Sequence, residues 1–186
     1  MNLVMAVTGA TGAYAARRLI DKSPWGVSLI VSPWGREVYK RECGPIEELT
    51  GKAAAVYDDA DLSAPIASGS TPTAGMVILP CTTSTTGKIA SGIGDTLITR
   101  AAHCHLKESR KLVLCIRESP LTLIDLDAAR TVSAAGGVIM PISPPFYMTA
   151  DHPPESVTLA TLLDDFVDRV LAIFGRPAEK TWENVR

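Results

Sequence analysis

Leu3-Val4-Met5-Ala6-Val7-Thr8-Gly9-Ala10-Thr11-Gly12-Ala13 is the stretch on which the fold turns. Five consecutive apolar residues without alternation suit a strand buried on both faces, as parallel sheets require. The two glycines interrupt the run, and Ala13 to Lys22 then reads as a helix. Strand, glycine turn and helix in that order are the opening of a β-α-β unit. The same alternation recurs outward from it. Val27 to Val31 is a second β run, with a helix expected from Trp34 to Glu42. Residues Gly44 to Ser70 are rich in Pro, Gly, Ser and Asp and carry only weak strand signals. Met76 to Leu79, Leu112 to Ile116 and Val138 to Met140 are further β runs. Ser84 to Ser91, Asp95 to Lys107 and Leu126 to Ala135 read as helices, the last ended by Gly136-Gly137. Leu162 to Phe174 places Leu163, Phe166, Val167, Val170, Leu171 and Phe174 on one face, an amphipathic helix. No internal repeat is visible. The alternation predicts an α/β protein with a mainly parallel sheet covered by helices on both faces.

A chain of 186 residues suits one domain, with a C-terminal tail from about 175 to 186. At 46% hydrophobic and 20% charged it is not a disordered chain. A net charge of -2 argues against a dedicated nucleic-acid binder. No apolar run reaches the ~18 residues of a membrane span, and the opening run lacks the length and basic flank of a signal peptide. The expected location is cytoplasmic. Cys43, Cys81, Cys104 and Cys115 are widely spaced and read as reduced, mostly buried thiols. Apart from His103 and His105 no ligand spacing appears, so no metal site is expected. Trp25 and Trp34 flank the second β run in segments that read as surface turns; exposed tryptophan marks interfaces, which implies a homo-oligomer.

In an open parallel sheet, ligands bind beyond the carboxyl ends of the strands. There the sequence gathers Thr8 to Gly12, Ser32, Cys81 with the run Thr82-Thr83-Ser84-Thr85-Thr86, Arg117 with Glu118, and Ser143 to Tyr147. Hydroxyls, glycines and one Arg/Glu pair suit a phosphate-bearing cofactor. The glycine turn would let an anion approach the backbone at a helix N-terminus, and that reading is preferred to a tight turn without ligand, although a motif this short is a weak signal. A helix needs one capping hydroxyl; five in a row exceed that need and favour anion binding. Arg100, His103 and Lys107 share one helix face, which from its spacing alone reads first as a solvated polar face. Arg169 borders the last apolar stripe, where snorkelling would explain it. Tyr147 could be an ordinary buried tyrosine, and Glu42 a surface charge. Glu118 has two readings: a partner that holds Arg117, or a group that handles protons or phosphate.

Several of these pieces together resemble the UbiX-type flavin prenyltransferases, formerly called aromatic-acid decarboxylases, of the flavin-binding cysteine decarboxylase superfamily. They are Thr8-Gly9-Ala10-Thr11-Gly12-Ala13, Ala64-Pro65-Ile66-Ala67-Ser68-Gly69-Ser70, Met76-Val77-Ile78-Leu79-Pro80-Cys81 with its Ser/Thr run, Leu97-Ile98-Thr99-Arg100-Ala101-Ala102, Leu106-Lys107-Glu108, Leu112 to Leu121 and Pro145-Phe146-Tyr147. The resemblance implies a flavodoxin-like or Rossmann-like three-layer α/β sandwich that binds reduced FMN and dimethylallyl phosphate. It implies prenyl transfer to flavin N5 and C6, without metal, and delivery of prenylated FMN to a UbiD-type decarboxylase. It also implies dodecamers with pockets at subunit boundaries. By the same resemblance, Gly9, Ala10, Thr11, Ser32, Thr82, Thr83, Ser84, Thr85 and Arg117 contact FMN. Ser68, Gly69, Arg100, Lys107, Tyr147 and Arg169 receive the prenyl phosphate. Glu42, Lys107 and Glu118 take the catalytic positions. Thr11 stands where the family usually has Ser, and Leu62 where it has an aromatic residue; the segment from Met148 to Thr161 is longer than usual.

Small residues at the strand ends, and Ser32 where a ribose-reading acid would stand, imply FMN rather than FAD or NAD. Tyr14, Tyr39, Tyr57 and Tyr147 are followed four residues later by Arg18, Cys43, Asp61 and Asp151, so the Tyr/Lys pair of a short-chain dehydrogenase is missing. A phosphopantothenoylcysteine decarboxylase would need an early histidine, and none precedes His103. The remaining alternative is a non-catalytic carrier of FMN, which would not need Glu42, Lys107, Glu118 and Arg169 together.

Overall fold

The computed structural model describes residues 1–143, 146, 153–177, 181 and 183. Six parallel strands form one sheet in the order β3-β2-β1-β4-β5-β6: β1 (Leu3–Val7), β2 (Val27–Val31), β3 (Ala55–Tyr57), β4 (Gly75–Cys81), β5 (Leu112–Ile116) and β6 (Val138–Ile139). Helices connect them: α1 (Ala13–Lys22), α2 (Pro33–Cys43), α3 (Glu47–Thr50), α4 (Thr83–Ala90), α5 (Leu97–Lys107), α6 (Leu123–Ala134) and α7 (Leu159–Ile173). Every residue of β1, β2, β4 and β5 is buried, as the unalternating apolar runs require.

The two faces of the sheet feed two cores. Leu3, Met5 and Val7 of β1 pack with Leu19 of α1, Tyr39 of α2 and Phe166, Val167 and Val170 of α7. Val4 and Ala6 turn the other way, toward Ile89 of α4, Ile98, Ala101 and Ala102 of α5, and Val132 of α6. α7 runs parallel to α1: Arg18 pairs with Asp164 at 2.5 Å and Lys22 with Asp168 at 2.7 Å. Trp25 is not the exposed marker expected of it. It is half-buried, packs edge-on against Phe174 at 6.5 Å between ring centroids, and belongs to the α1/α7 core. Trp34 is 72% exposed, but lies in the first turn of α2.

The chain between Gly44 and Ser70 contains more structure than its composition suggests: α3, the short edge strand β3 and a 3₁₀ turn over Pro65–Ala67. At the end of α5 the Arg110 amide donates to the His105 carbonyl at 2.8 Å and that of Ser109 to Leu106 at 3.1 Å. These two bonds form a Schellman turn, which needs a left-handed residue. Ser109 supplies it at φ 53°, the one non-glycine with positive φ among the described residues. Relieving the Cβ conflict outweighs the extra freedom of an unfolded glycine, so Ser109→Gly is expected to stabilise by about 0.5–1 kcal/mol. Calorimetry should show Tm rising by roughly 2 °C.

His105 is buried and its Nδ1–H donates to the Ala101 carbonyl at 2.7 Å, which leaves Nε2 to accept from the Thr73 hydroxyl at 2.8 Å. Burial, then the nearby Arg110 charge, lowers its pKa below the usual histidine value, against a rise from the Ala101 bond. The unfolded chain therefore binds this proton more readily than the native one. The stability is complete above about pH 6.5 and declines as pH falls below it. Denaturant midpoints measured from about pH 7.5 to 5.5 are expected to fall on acidification, and less steeply in His105→Gln.

Candidate active site

Chain order reverses between β1 and β4, and a cleft of about 430 Å³ opens at their carboxyl ends. Thr8 and Gly9 line it after β1, Ser32 and Trp34 at the start of α2, and Thr82, Ser84 and Thr85 at the start of α4. Asp59, Lys88, Thr96, Ile98 and Thr99 complete the wall. Three helices thus begin at the cleft, each capped by a hydroxyl. Ser32 accepts from the Gly35 amide at 3.0 Å, Thr82 from Thr85 at 3.1 Å and Thr96 from Thr99 at 3.4 Å. One cap leaves further first-turn N–H groups as donors for an anion.

Glycine makes this convergence sterically possible. A Cβ on Gly9 would come within 2.6 Å of the Trp34 Cβ, and one on Gly35 would strike the Val7 carbonyl. Hence α2 can begin against the end of β1, where the Ser32 amide donates to the Val7 carbonyl at 3.0 Å. The Thr8 hydroxyl donates to the Pro80 carbonyl and accepts from the Thr82 amide, both at 2.9 Å, so β1 and β4 end in register at the cleft.

The expected flavin contacts divide accordingly. Gly9, Ser32, Thr82, Ser84 and Thr85 line the cleft. Ala10 is buried and Thr11 exposed in the turn after Gly9. Thr83 faces Asp125 on α6, whose carboxyl is held below the usual carboxylate range chiefly by Thr122 and in lesser part by Thr83, and Thr83 is not among the residues lining the cleft. Arg117 is exposed just past β5, its amide donating to the Cys81 carbonyl at 3.2 Å. Glu118 accepts from the Ser119 amide at 3.1 Å, and no ion pair joins it to Arg117 among the described residues. The reading of Glu118 as the salt-bridge partner of Arg117 is therefore corrected. Burial pushes the Cys81 thiol up to about 12, so this cleft-side cysteine stays neutral. All four cysteines are free, with Cys81, Cys104 and Cys115 buried.

Glu42 is more than a surface charge. Its carboxylate accepts from the Gly12 amide at 2.9 Å and the Ala13 amide at 2.7 Å, capping α1 from the end of α2. The Gly12 and Ala13 amides are therefore not open donors for an anion.

Of the expected prenyl-phosphate residues, Lys107 stands farther from the cleft than Arg100. α5 begins at the cleft and runs 11 residues away, which puts Lys107 about 15 Å from the helix start. There Lys107 meets Gly69. Arg100 lies nearer, in the first turn of α5 after cleft-lining Thr99, and its Nε donates to the Ala67 carbonyl at 3.1 Å beside Ser68. Arg169 is exposed on α7, past the Asp164 and Asp168 positions that pair with successive turns of α1. Tyr147 lies outside the described residues. The sequence reading missed Asp59, whose carboxylate accepts from the Ile98 amide at 2.9 Å at the α5 start. It also missed the role of Trp34 as cleft wall. The Thr96-x-x-Thr99 capping box was the available signal for that helix start. No helix among the described residues is long and apolar enough to cross a membrane.

A cleft at the reversal point of a parallel sheet, ringed by hydroxyl-capped helix starts, defines a nucleotide-binding α/β protein. The flavoprotein family model matches residues 1–153. The UbiX flavin prenyltransferase of Deinococcus radiodurans is 41% identical over 187 residues, covering 97% of this chain and 93% of the relative. The crystal structure of AnUbiX (PadA1) in complex with FMN and dimethylallyl pyrophosphate superposes with a TM-score of 0.89 at 34% identity, covering 97% of this chain and 96% of that one. A dodecameric FMN-dependent UbiX-like decarboxylase from Escherichia coli O157:H7 gives a TM-score of 0.87 at 34% identity, covering 97% and 98%. The chain belongs to the flavoprotein family and, within it, to the UbiX-type flavin prenyltransferases.

Proposed function

We propose that the protein transfers a dimethylallyl group from dimethylallyl phosphate to N5 and then C6 of reduced FMN, and that the prenylated FMN passes to a UbiD-type decarboxylase. The observation that carries this reading is the partition of the site: the cleft offers hydroxyls and helix N-termini, while Arg100, Lys107 and Arg169 stand on outer surfaces of the same protomer. A flavin carrier needs only the first set. A transferase that must also stabilise a departing phosphate needs the second. Neighbouring copies would bring the two sets together, in a homo-oligomer that we take to be a dodecamer like the E. coli relative.

The residues present fit FMN. With α1 occupied by Glu42, the flavin phosphate goes to the α4 start, where Thr82, Ser84 and Thr85 supply hydroxyls and amides. Gly9, Ala10, Thr11, Ser32 and Arg117 hold the rest. Thr83, in the same first turn of α4 as Ser84 and Thr85, is taken to contact the FMN with them. When bound, the reduced flavin supplies the nucleophilic nitrogen. Ser68, Gly69, Arg100, Lys107, Tyr147 and Arg169 receive the donor phosphate and stabilise its charge as the carbon–oxygen bond breaks. Glu42 and Glu118 stand at the first turn and at the end of β5, where a carboxylate can take up the protons that leave N5 and C6.

Anaerobic incubation with reduced FMN and dimethylallyl phosphate, followed by mass measurement of the flavin, tests the proposal. A gain of one C₅H₈ unit is expected. Recovery of unchanged FMN from protein that binds it would leave the carrier reading standing. A parallel arm with the pyrophosphate donor settles donor choice. Because side-chain cations take the place of Mg²⁺, turnover is expected to persist in excess chelator.

A further inference from the structure

Arg110 was not among the residues read from the sequence, yet it grips the loop assigned to the prenyl phosphate. The Schellman turn at Ser109 swings the chain back after α5 and delivers the Arg110 guanidinium to that loop. One nitrogen donates to the Thr71 carbonyl at 2.6 Å and the other to the Gly69 carbonyl. On either side of Gly69 in the chain, the Ser68 and Ser70 hydroxyls bond each other at 2.8 Å. The Lys107 ammonium lies 2.9 Å from the Glu108 carboxylate, with both groups packed over Gly69. A Cβ on Gly69 would fall 2.5 Å from Glu108 Oε1 and 2.8 Å from Lys107 Nζ. Glu108 is held below the usual carboxylate range first by its bond from Lys107, with Arg110 adding a smaller effect. Arg110 is bonded to two neutral carbonyls, so both hydrogen bonds fix the backbone without cancelling its charge.

We propose that Arg110 is a positioning residue for donor binding: by holding the Gly69 and Thr71 carbonyls it sets the Ser68–Ser70 loop beneath the Lys107 ammonium, as one anion-receiving unit. This rests on the reading of Ser68, Gly69 and Lys107 as the prenyl-phosphate subsite. A guanidinium is suited to the task, since its planar fork fixes two carbonyls at once, which an ammonium cannot.

The test measures KM for dimethylallyl phosphate, kcat and FMN affinity in wild type, Arg110→Met, Arg110→Lys, Gly69→Ala and Lys107→Met. Arg110→Met is expected to raise KM by roughly tenfold, with kcat and FMN affinity within about twofold of wild type. Arg110→Lys, which keeps the charge and one bond, recovers part of the loss. Gly69→Ala displaces Lys107 without touching Arg110 and raises KM as well. If Arg110→Met does not fold, Arg110→Lys and Gly69→Ala decide the matter by the same readout. An unchanged KM in the folded Arg110 variants overturns the proposal, as does a parallel fall in kcat and FMN affinity, which would mark a purely structural role. If wild type turns over and Lys107→Met also leaves KM unchanged, the subsite reading itself falls and takes the proposal with it.

Discussion

Gly35→Ala is expected to cost about 3 kcal/mol and to lower Tm by roughly 6–12 °C. The new methyl would collide with the Val7 carbonyl, a backbone atom at the end of a central strand, and would come within 3.1 Å of the Ser32 hydroxyl. Neither β1 nor α2 can yield cheaply. β1 is paired on both sides, to β2 and β4, and α2 carries Tyr39 into the core. The chain must therefore lift the start of α2 away from β1. That breaks the Ser32 amide bond to Val7 and moves one wall of the cleft, so FMN affinity falls along with stability. Calorimetry and flavin titration on the same preparation check both losses. Wild-type values in each would show that α2 can shift without consequence for the site.

Glu118→Gln is the substitution expected to act most strongly on chemistry alone. The carboxylate is exposed at the end of β5 and is bonded to the next amide in the chain, not to Arg117. Its charge is thus not needed to hold the guanidinium. Glutamine keeps the acceptor for Ser119 and nearly the same shape. Single-turnover prenylation of reduced FMN is expected to slow by about tenfold or more, the scale of a lost acid–base group, while FMN binding is retained. A normal rate with weakened FMN binding would reassign Glu118 to flavin orientation.

The main architecture was legible because its strands are buried on both faces and announce themselves as unbroken apolar runs. Leu3–Val7, Val27–Val31 and Leu112–Ile116 stand where the sequence reading placed them. β3 was not legible for the opposite reason: it is a three-residue edge strand with no fully buried side chain, and its composition resembles a loop. The candidate site was legible at strand ends, where Gly9, Ser32 and Thr82 follow directly on recognisable runs. It was obscure where a contact spans distant segments. Asp59 reaches the α5 start from beyond β3, and Arg110 reaches Gly69 only because Ser109 adopts a left-handed turn that serine does not advertise. Trp25 shows a further limit. A tryptophan next to Gly26 reads as a surface turn until Phe174, from the far end of the chain, closes over it.

The Glu42 cap on α1 bears on which nucleotides the fold admits. In proteins with this strand order a dinucleotide lays its pyrophosphate on the turn after the first strand. Here the Gly12 and Ala13 amides of that turn are already committed to a carboxylate 30 and 29 residues away. A ligand with two linked phosphates would set negative charge against negative charge where it requires donors. A mononucleotide whose single phosphate sits at α4, as proposed, would meet no such opposition. On that proposal the cofactor would be selected by phosphate count, through a side chain outside the cleft wall, before the shape of the cleft comes into play.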